Sequence, residues 1–158
     1  MDVSQICSEL VAIRSENPPG LTAEVIEYIR SYLEGLGIRS EIVSKKKGYD
    51  NLLTHGTNDS GLLFCGHVDV VPALSRSWRH DPFSGTIEDG KVWGRGSTDM
   101  KGGCASILSA CREVIDEEYE LPADLAQPWR VPLLWADYAL ARAQTEGAPQ
   151  RGIDEAVS

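Results

Sequence analysis

The feature that most restricts the fold is a short apolar run, Leu62-Leu63-Phe64-Cys65, which leads directly into Gly66-His67-Val68-Asp69. A run of this length, bounded by loop residues, predicts a strand that is buried on both faces. Such a strand needs other elements packed on both sides of its sheet. The run therefore favours an α/β fold with helices on both sides of the sheet.

Apolar residues at helical spacing predict three helices around this strand. The first is capped by Ser4 and ends before Asn17-Pro18-Pro19-Gly20, the second runs from about Thr22 to Leu36, and the third runs from Ala105 to Ile115. Further strands are predicted at Ile38 to Val43 and Asn51 to Thr54, with a hairpin around Asp89-Gly90. The alternation of helices and strands predicts an α/β sandwich with a largely parallel or mixed sheet.

Length and charge exclude several classes of protein. The chain has 158 residues, enough for one domain with its own core, and a formal net charge of -9. That charge argues against a nucleic-acid binder and against adsorption to an anionic membrane.

No apolar run approaches the roughly 20 residues of a membrane helix, and the start lacks a signal peptide's features. The four cysteines form no CxxC pair, which favours reduced thiols and a cytoplasmic location.

His67 and Asp69 form the first candidate site, at the end of the apolar strand. Residues two apart in an extended chain point to the same side, so the carboxylate can contact the imidazole. An imidazole is a common zinc ligand, and such ligands usually have a carboxylate that orients the ring. The alternative is a structural histidine whose hydrogen bond to a neighbouring aspartate has no catalytic role.

Asp99 lies in the second candidate, the glycine-rich segment Gly94 to Gly103. Glycines allow the backbone to approach a ligand closely or to adopt positive φ. A purely structural interpretation makes Asp99 a helix N-cap. A phosphate-binding loop is disfavoured because the segment has neither a Gly-Lys-Ser/Thr ending nor a GxGxxG pattern after a strand.

Other residues are weaker candidates. His80 is interpreted either as lining a pocket mouth or as an exposed loop histidine, and His55 as structural. Cys65 is expected to be buried in its strand, and Cys104 and Cys111 to share a core-facing helix side. Arg95 could hold a carboxylate or form a structural ion pair.

The motifs occur in one order: Gly66-His67-Val68-Asp69-Val70-Val71-Pro72, Trp78 with Asp81-Pro82-Phe83, Asp89-Gly90-Lys91, Gly94-Arg95-Gly96 and Asp99-Met100-Lys101-Gly102-Gly103. This series resembles the succinyl-diaminopimelate desuccinylase and acetylornithine deacetylase family of di-zinc amidohydrolases and exopeptidases. Ser15-Glu16-Asn17-Pro18-Pro19-Gly20 is similar to the family's first-turn signature. The resemblance covers residues 1–126 and is strongest between residues 62 and 104.

The resemblance implies a three-layer zinc-exopeptidase-like catalytic domain that hydrolyses the amide bond of N-acyl amino acids or small peptides. It implies that His67 ligates one zinc ion, that Asp69 braces this histidine as a catalytic residue, and that Asp99 bridges two zinc ions. Cobalt is an alternative metal. Family members often form homodimers.

The chain departs from the family pattern after the Asp99 helix. The family's Glu-Glu pair, a general base and a zinc ligand, has no match in Ala123-Asp124-Leu125-Ala126, and Glu117-Glu118 is interpreted as a solvated helix end. No histidine follows His80 to match a later ligand, and the dimerisation domain is absent. We therefore expect a truncated, incomplete catalytic domain that alone binds metal weakly and turns over little substrate.

We expect the chain to divide into residues 1–126, the amino-terminal part of the metallohydrolase domain, and residues 127–158, a divergent tail that is helical in part. Within the tail, Pro132 to Glu146 is predicted to form a helix. A packing helix, a divergent terminus and out-of-frame translation are alternative explanations for its composition. The alternative function is a non-catalytic binding or interaction module on the same scaffold.

Overall fold

A computed structural model describes residues 1–54, 64–73 and 78–116, and the backbone of residues 133–135. These residues form three helices, α1 (Val3–Ala12), α2 (Ala23–Gly35) and α3 (Lys101–Asp116), and six strands. The strands are β1 (Ser40–Lys46), β2 (Tyr49–Thr54), β3 (Phe64–Gly66), β4 (Thr86–Glu88), β5 (Lys91–Trp93) and β6 (Leu133–Trp135). Over the part of the chain described, no helix combines the length and apolar character needed to cross a membrane.

Four strands form one sheet in the order β1-β2-β6-β3. β1 and β2 are antiparallel, β2 and β6 are antiparallel, and β3 and β6 are parallel. The predicted α/β fold with a mixed sheet is therefore confirmed. The predicted hairpin is also confirmed, because β4 and β5 pair antiparallel across Asp89 and Gly90. Both of these residues have positive φ (53° and 70°), as a tight hairpin turn requires.

The core lies between the helices and the sheet. α1 packs against α3, and α2 packs against β1 and β2. The helices bury the apolar faces that their spacing predicts, with Ile6, Leu10 and Val11 from α1, Val25, Ile26, Ile29 and Leu33 from α2, and Cys104, Ala105 and Leu108 from α3. The predicted periodicity of all three helices is thus confirmed.

Helix α3 begins earlier than predicted, at Lys101 rather than at Ala105. Its first turn contains Gly102 and Gly103, which disfavour helix in isolation. At Gly102 the backbone passes so close to Ser97 that a Cβ would lie 2.2 Å from the Ser97 carbonyl oxygen. Glycine is therefore required there by the close approach of the preceding loop and does not interrupt the helix. Helix α1 likewise begins at Val3, before its predicted cap Ser4.

One strand prediction and one helix prediction are wrong in part. Phe64 is 38% exposed and Cys65 is exposed, although their run predicts burial on both faces. Among the described strands, β3 is the last in the sheet order, so fewer described elements surround it than surround a central strand. The predicted tail helix is wrong at Leu133–Trp135, where the backbone forms β6 between β2 and β3. Apolar and aromatic residues suit a strand that joins two others; the rest of that predicted helix lies outside the described residues.

Candidate functional site

His67 and Asp69 follow β3, in a segment whose side chains alternate in burial. Val68 and Val70 are buried in the core, so His67 and Asp69 point to the opposite side. Their side chains are in contact, with His67 Nδ1 3.2 Å from Asp69 Oδ1. The same nitrogen lies 3.1 Å from the Asp69 backbone oxygen. The structure thus brings this predicted pair together on one side of the chain.

Asp99 joins the pair from the loop before α3. Its Oδ1 lies 3.0 Å from His67 Nε2, so the imidazole lies between two carboxylates. The two carboxylates differ in environment: the side chain of Asp69 is 18% exposed and that of Asp99 is 84% exposed. Because α3 begins at Lys101, the residue before the helix is Met100, and the N-cap interpretation of Asp99 is wrong.

The two carboxylates stabilise a protonated imidazole. The hydrogen bond with Asp69 is the main cause, and Asp99 adds to it, so that the pKa of His67 rises to about 9 although burial opposes the rise. For Asp69 burial raises the pKa, but the hydrogen bonds from His67 and Asn17 outweigh burial and leave the pKa below its usual value. Asp69 is therefore an ionised partner for the ring.

The three residues form one wall of an open cavity of about 540 Å³. Trp78, Trp93, Lys91 and Arg95 also line this cavity. The Arg95 guanidinium lies 4.9 Å above the Trp78 ring, and its buried Nε has no hydrogen-bond partner among the described residues. No ion pair of Arg95 is found in the part of the chain described.

The remaining candidates lie apart from this wall. His80 Nε2 is 3.0 Å from Glu88 Oε2, and the His80 ring packs beside Trp93 with 5.4 Å between ring centroids. Cys104 is buried and Cys111 half-buried, in line with their predicted core role. His55 and Glu117-Glu118 lie outside the described residues.

The structure adds two residues that sequence reasoning missed. Asn17 donates its side-chain amide to Asp69 Oδ2 at 3.1 Å. Lys101 is fully buried, and its ammonium donates to the backbone oxygens of Leu10 (2.9 Å) and Ile13 (2.6 Å) at the end of α1. Burial lowers the pKa of Lys101 to about 8. Both residues lie in recognised motifs, but their partners are distant in sequence and the motif alone does not identify them.

The donor set fits part of a metal site. An imidazole nitrogen and a carboxylate oxygen face one another at the cavity, and the other ring nitrogen contacts a carboxylate, as is usual for a metal-ligating histidine. Zinc needs three or four protein ligands. Within residues 1–54, 64–73 and 78–116, no group of three or more histidine, cysteine, aspartate or glutamate side chains is arranged to hold a metal ion.

Comparison with known proteins agrees with the predicted resemblance. Residues 63–126 match the sequence profile of Peptidase family M20/M25/M40. The chain is 43% identical over 93 residues to acetylornithine deacetylase of Proteus mirabilis, a match that covers 57% of this chain and 24% of that protein. It is 51% identical over 61 residues to succinyl-diaminopimelate desuccinylase of Methylobacterium radiotolerans, covering 39% of this chain and 16% of that protein.

A solved structure shows the same fold. The M20 family metallo-carboxypeptidase Sso-CP2 from Sulfolobus solfataricus superimposes with a TM-score of 0.71 at 26% identity, over 90% of this chain and 32% of that protein. The matches thus span less than a third of the length of each of these three relatives. The predicted family resemblance is confirmed for residues 63–126, the part of the chain that matches the profile of Peptidase family M20/M25/M40.

Proposed function

We propose that this chain contributes to a metal-dependent hydrolase that cleaves the amide bond of N-acyl amino acids or small peptides. The observation that carries the proposal is the position of His67 Nε2, 3.0 Å from Asp99 Oδ1 on the wall of an open cavity. Relatives named for deacetylation and desuccinylation support an acylated amine as the small-molecule substrate. The absence of CxxC pairs supports a cytoplasmic location.

In this proposal His67 and Asp99 hold the metal, zinc or alternatively cobalt, and the family resemblance implies two ions. When bound, such an ion would polarise the amide carbonyl and lower the pKa of a water towards about 7. When the imidazole is neutral, Asp69 keeps the remaining proton on Nδ1, so that the Nε2 lone pair is free to bind. The cavity admits the substrate beside this pair.

We further propose that the described residues do not complete the centre by themselves. His67 and Asp99 are one nitrogen and one carboxylate ligand, fewer than zinc needs. A carboxylate that could take a proton from water is also required. Asp69 does not serve this purpose, since its carboxylate is engaged by His67 and Asn17. We expect weak metal binding and little turnover from this chain alone.

A non-catalytic binding module on the same scaffold is the second candidate. The observation that favours it is that only two predicted metal ligands meet within the described residues. Such a module keeps the fold and the cavity but does not need His67 and Asp99 for its activity.

Zinc binding tests the two functions against one another. The chelator-stripped chain is compared with His67→Ala and Asp99→Ala by calorimetry and by metal analysis after dialysis. We expect each variant to lower zinc affinity by at least about tenfold, because each removes one of few ligands. His80→Ala and Asp116→Ala make the same chemical changes outside the pair and should bind zinc as the parent chain does.

Hydrolysis of an N-acetyl and an N-succinyl amino acid is measured on the same samples. Zinc affinity that is identical in the parent chain and both site variants would refute the metal-site proposal and favour the binding module. Turnover by the isolated chain at rates typical of enzymes, about 1–10³ per second, would refute the proposed incompleteness.

A further inference from the structure

The segment that follows α1 forms part of the candidate site. Ser15 to Asn17 runs beside Val68 to Val70 and is joined to it by a parallel bridge between Glu16 and Val70. The Val70 N–H donates to the Ser15 oxygen at 2.9 Å, and the Asn17 N–H donates to the Val70 oxygen at 2.7 Å. The backbone of Asn17 is therefore fixed next to Asp69.

The Asn17 side chain uses this position to reach the Asp69 carboxylate. Its Nδ2 donates to Asp69 Oδ2 at 3.1 Å, while Asp69 Oδ1 lies 3.2 Å from His67 Nδ1. Gly20 leaves room for the amide, since a Cβ at that residue would lie 3.2 Å from Asn17 Cγ. Each oxygen of the carboxylate thus has its own partner, and rotation of the carboxylate would break both hydrogen bonds.

We propose that Asn17 is a positioning residue, which holds the Asp69 carboxylate so that His67 carries its proton on Nδ1 and presents Nε2 to the cavity. The inference that Nε2 then binds a metal rests on the proposed function, but the effect of Asn17 on the imidazole does not. Within the described residues the Asn17 side chain makes no hydrogen bond to the imidazole or to Asp99; it acts through Asp69.

The competition between two carboxylates makes the role of Asn17 measurable. A neutral His67 can donate from Nδ1 to Asp69 or from Nε2 to Asp99, whose oxygen is 3.0 Å away. The Asp69 backbone oxygen, 3.1 Å from Nδ1, also favours the first form. Loss of the Asn17 hydrogen bond frees the carboxylate to rotate and should shift the population towards the form protonated on Nε2.

The experiment is a long-range proton–nitrogen NMR correlation of the histidine rings in the metal-free, full chain. It is recorded at a pH at which the imidazole is neutral, and His67→Ala assigns the His67 signals. We expect Asn17→Ala and Asn17→Asp to raise the ratio of the Nε2-protonated to the Nδ1-protonated form by at least about threefold, as loss of one hydrogen bond predicts.

Gln5→Glu is the matched control. Gln5 donates its amide to Glu9 Oε1 at 2.8 Å on the exposed side of α1, so this variant also replaces an amide donor with a carboxylate beside a carboxylate. It should leave the His67 ratio unchanged. An unchanged ratio in folded Asn17→Ala and Asn17→Asp would overturn the proposal.

A measurement on the unaltered chain keeps the proposal testable where the variants do not fold. Hydrogen exchange of the Asn17 side-chain amide should be slower than that of the exposed Gln5 amide, and equal rates would overturn the proposal. A chain that binds no zinc but shows the expected change of ratio would refute the metal site alone, so the two failures are distinguishable.

Discussion

The two carboxylates beside His67 differ in how strongly water screens them. Asp69 is largely enclosed, whereas Asp99 has most of its side chain in solvent. Charges in solvent are screened by water and salt, so an exposed carboxylate acts more weakly on its neighbour at the same distance. The imidazole therefore owes its charge mainly to Asp69.

We expect Asp69→Asn to lower the pKa of His67 more than Asp99→Asn does, from about 9 in the metal-free chain. Because the folded pKa is above the value of about 6.5 for an unfolded chain, the contribution of His67 to stability is fully present below pH 6.5. It is lost as the pH rises through about 9. NMR titration of the ring measures the pKa, and Asp116→Asn is the control. Equal decreases in the two site variants would contradict this account.

The sequence predicts His67, Asp69 and Asp99 as site residues. His67 and Asp69 lie at the end of a predicted strand, and all three lie in motifs whose order matches the family pattern. Asn17 and Lys101 could not be assigned roles in this way. Their hydrogen bonds join residues 52 and 91 positions apart, and such contacts are created by the packing of α1 and the chain segments around it. The proline- and glycine-rich neighbours of Asn17 predicted only a turn.

At the scale of elements, Lys101 connects the beginning of α3 to the end of α1. The last carbonyls of a helix lack partners within the helix, and the buried ammonium supplies donors to two oxygens there. The cost of this arrangement is burial of a cation, which lowers the pKa of Lys101 to about 8. An unfolded chain thus binds more protons than the folded chain between pH 8 and 10.5.

The free energy of unfolding of the parent chain should therefore rise with pH over that interval, relative to that of Lys101→Met. The parent chain gains stability from this group by up to about 1.4 kcal/mol per pH unit, and the variant gains none. At the upper end of the interval the variant should be the less stable, because two helix-end carbonyls lose their donors. Urea unfolding at several pH values measures the difference, with Lys45→Met as an exposed control. A difference independent of pH would contradict a titrating, buried Lys101.

Helix prediction succeeded because apolar spacing reports directly on the buried face, as in α2. Strand prediction was less complete, because burial of a strand depends on its place in the sheet. The apolar run that contains Phe64 and Cys65 predicts a strand buried on both faces. Among the described strands, however, these residues lie in the last one of the order β1-β2-β6-β3. The order of strands is set by distant pairings, which the local sequence does not contain.

At the scale of the whole molecule, the family match and the folding unit have different boundaries. The match begins at residue 63, yet nine of the thirteen buried residues in the described core precede it. Each large apolar side chain contributes about 1.5–3 kcal/mol when buried, against a typical total stability of about 5–15 kcal/mol. The segment 63–126 therefore lacks most of the core that the described residues form.

We expect a peptide of residues 63–126 to be unfolded, while the full chain unfolds cooperatively. Circular dichroism and the dispersion of amide proton signals distinguish the two, with the full chain in the same buffer as the control. A folded peptide with a cooperative transition would show that α1 and α2 are dispensable to the core.

The hydrogen bond between Lys101 and the Leu10 carbonyl also has a consequence for synthesis of the chain. After Leu10 the ribosome adds 91 residues before Lys101, at the start of the partner helix α3, exists. At rates of about 5–20 residues per second this takes about 5–20 s. During that time the apolar face of α1, with Ile6, Leu10 and Val11, cannot pack against α3. The nascent chain therefore presents a helix-forming apolar segment to chaperones well before the candidate site can assemble.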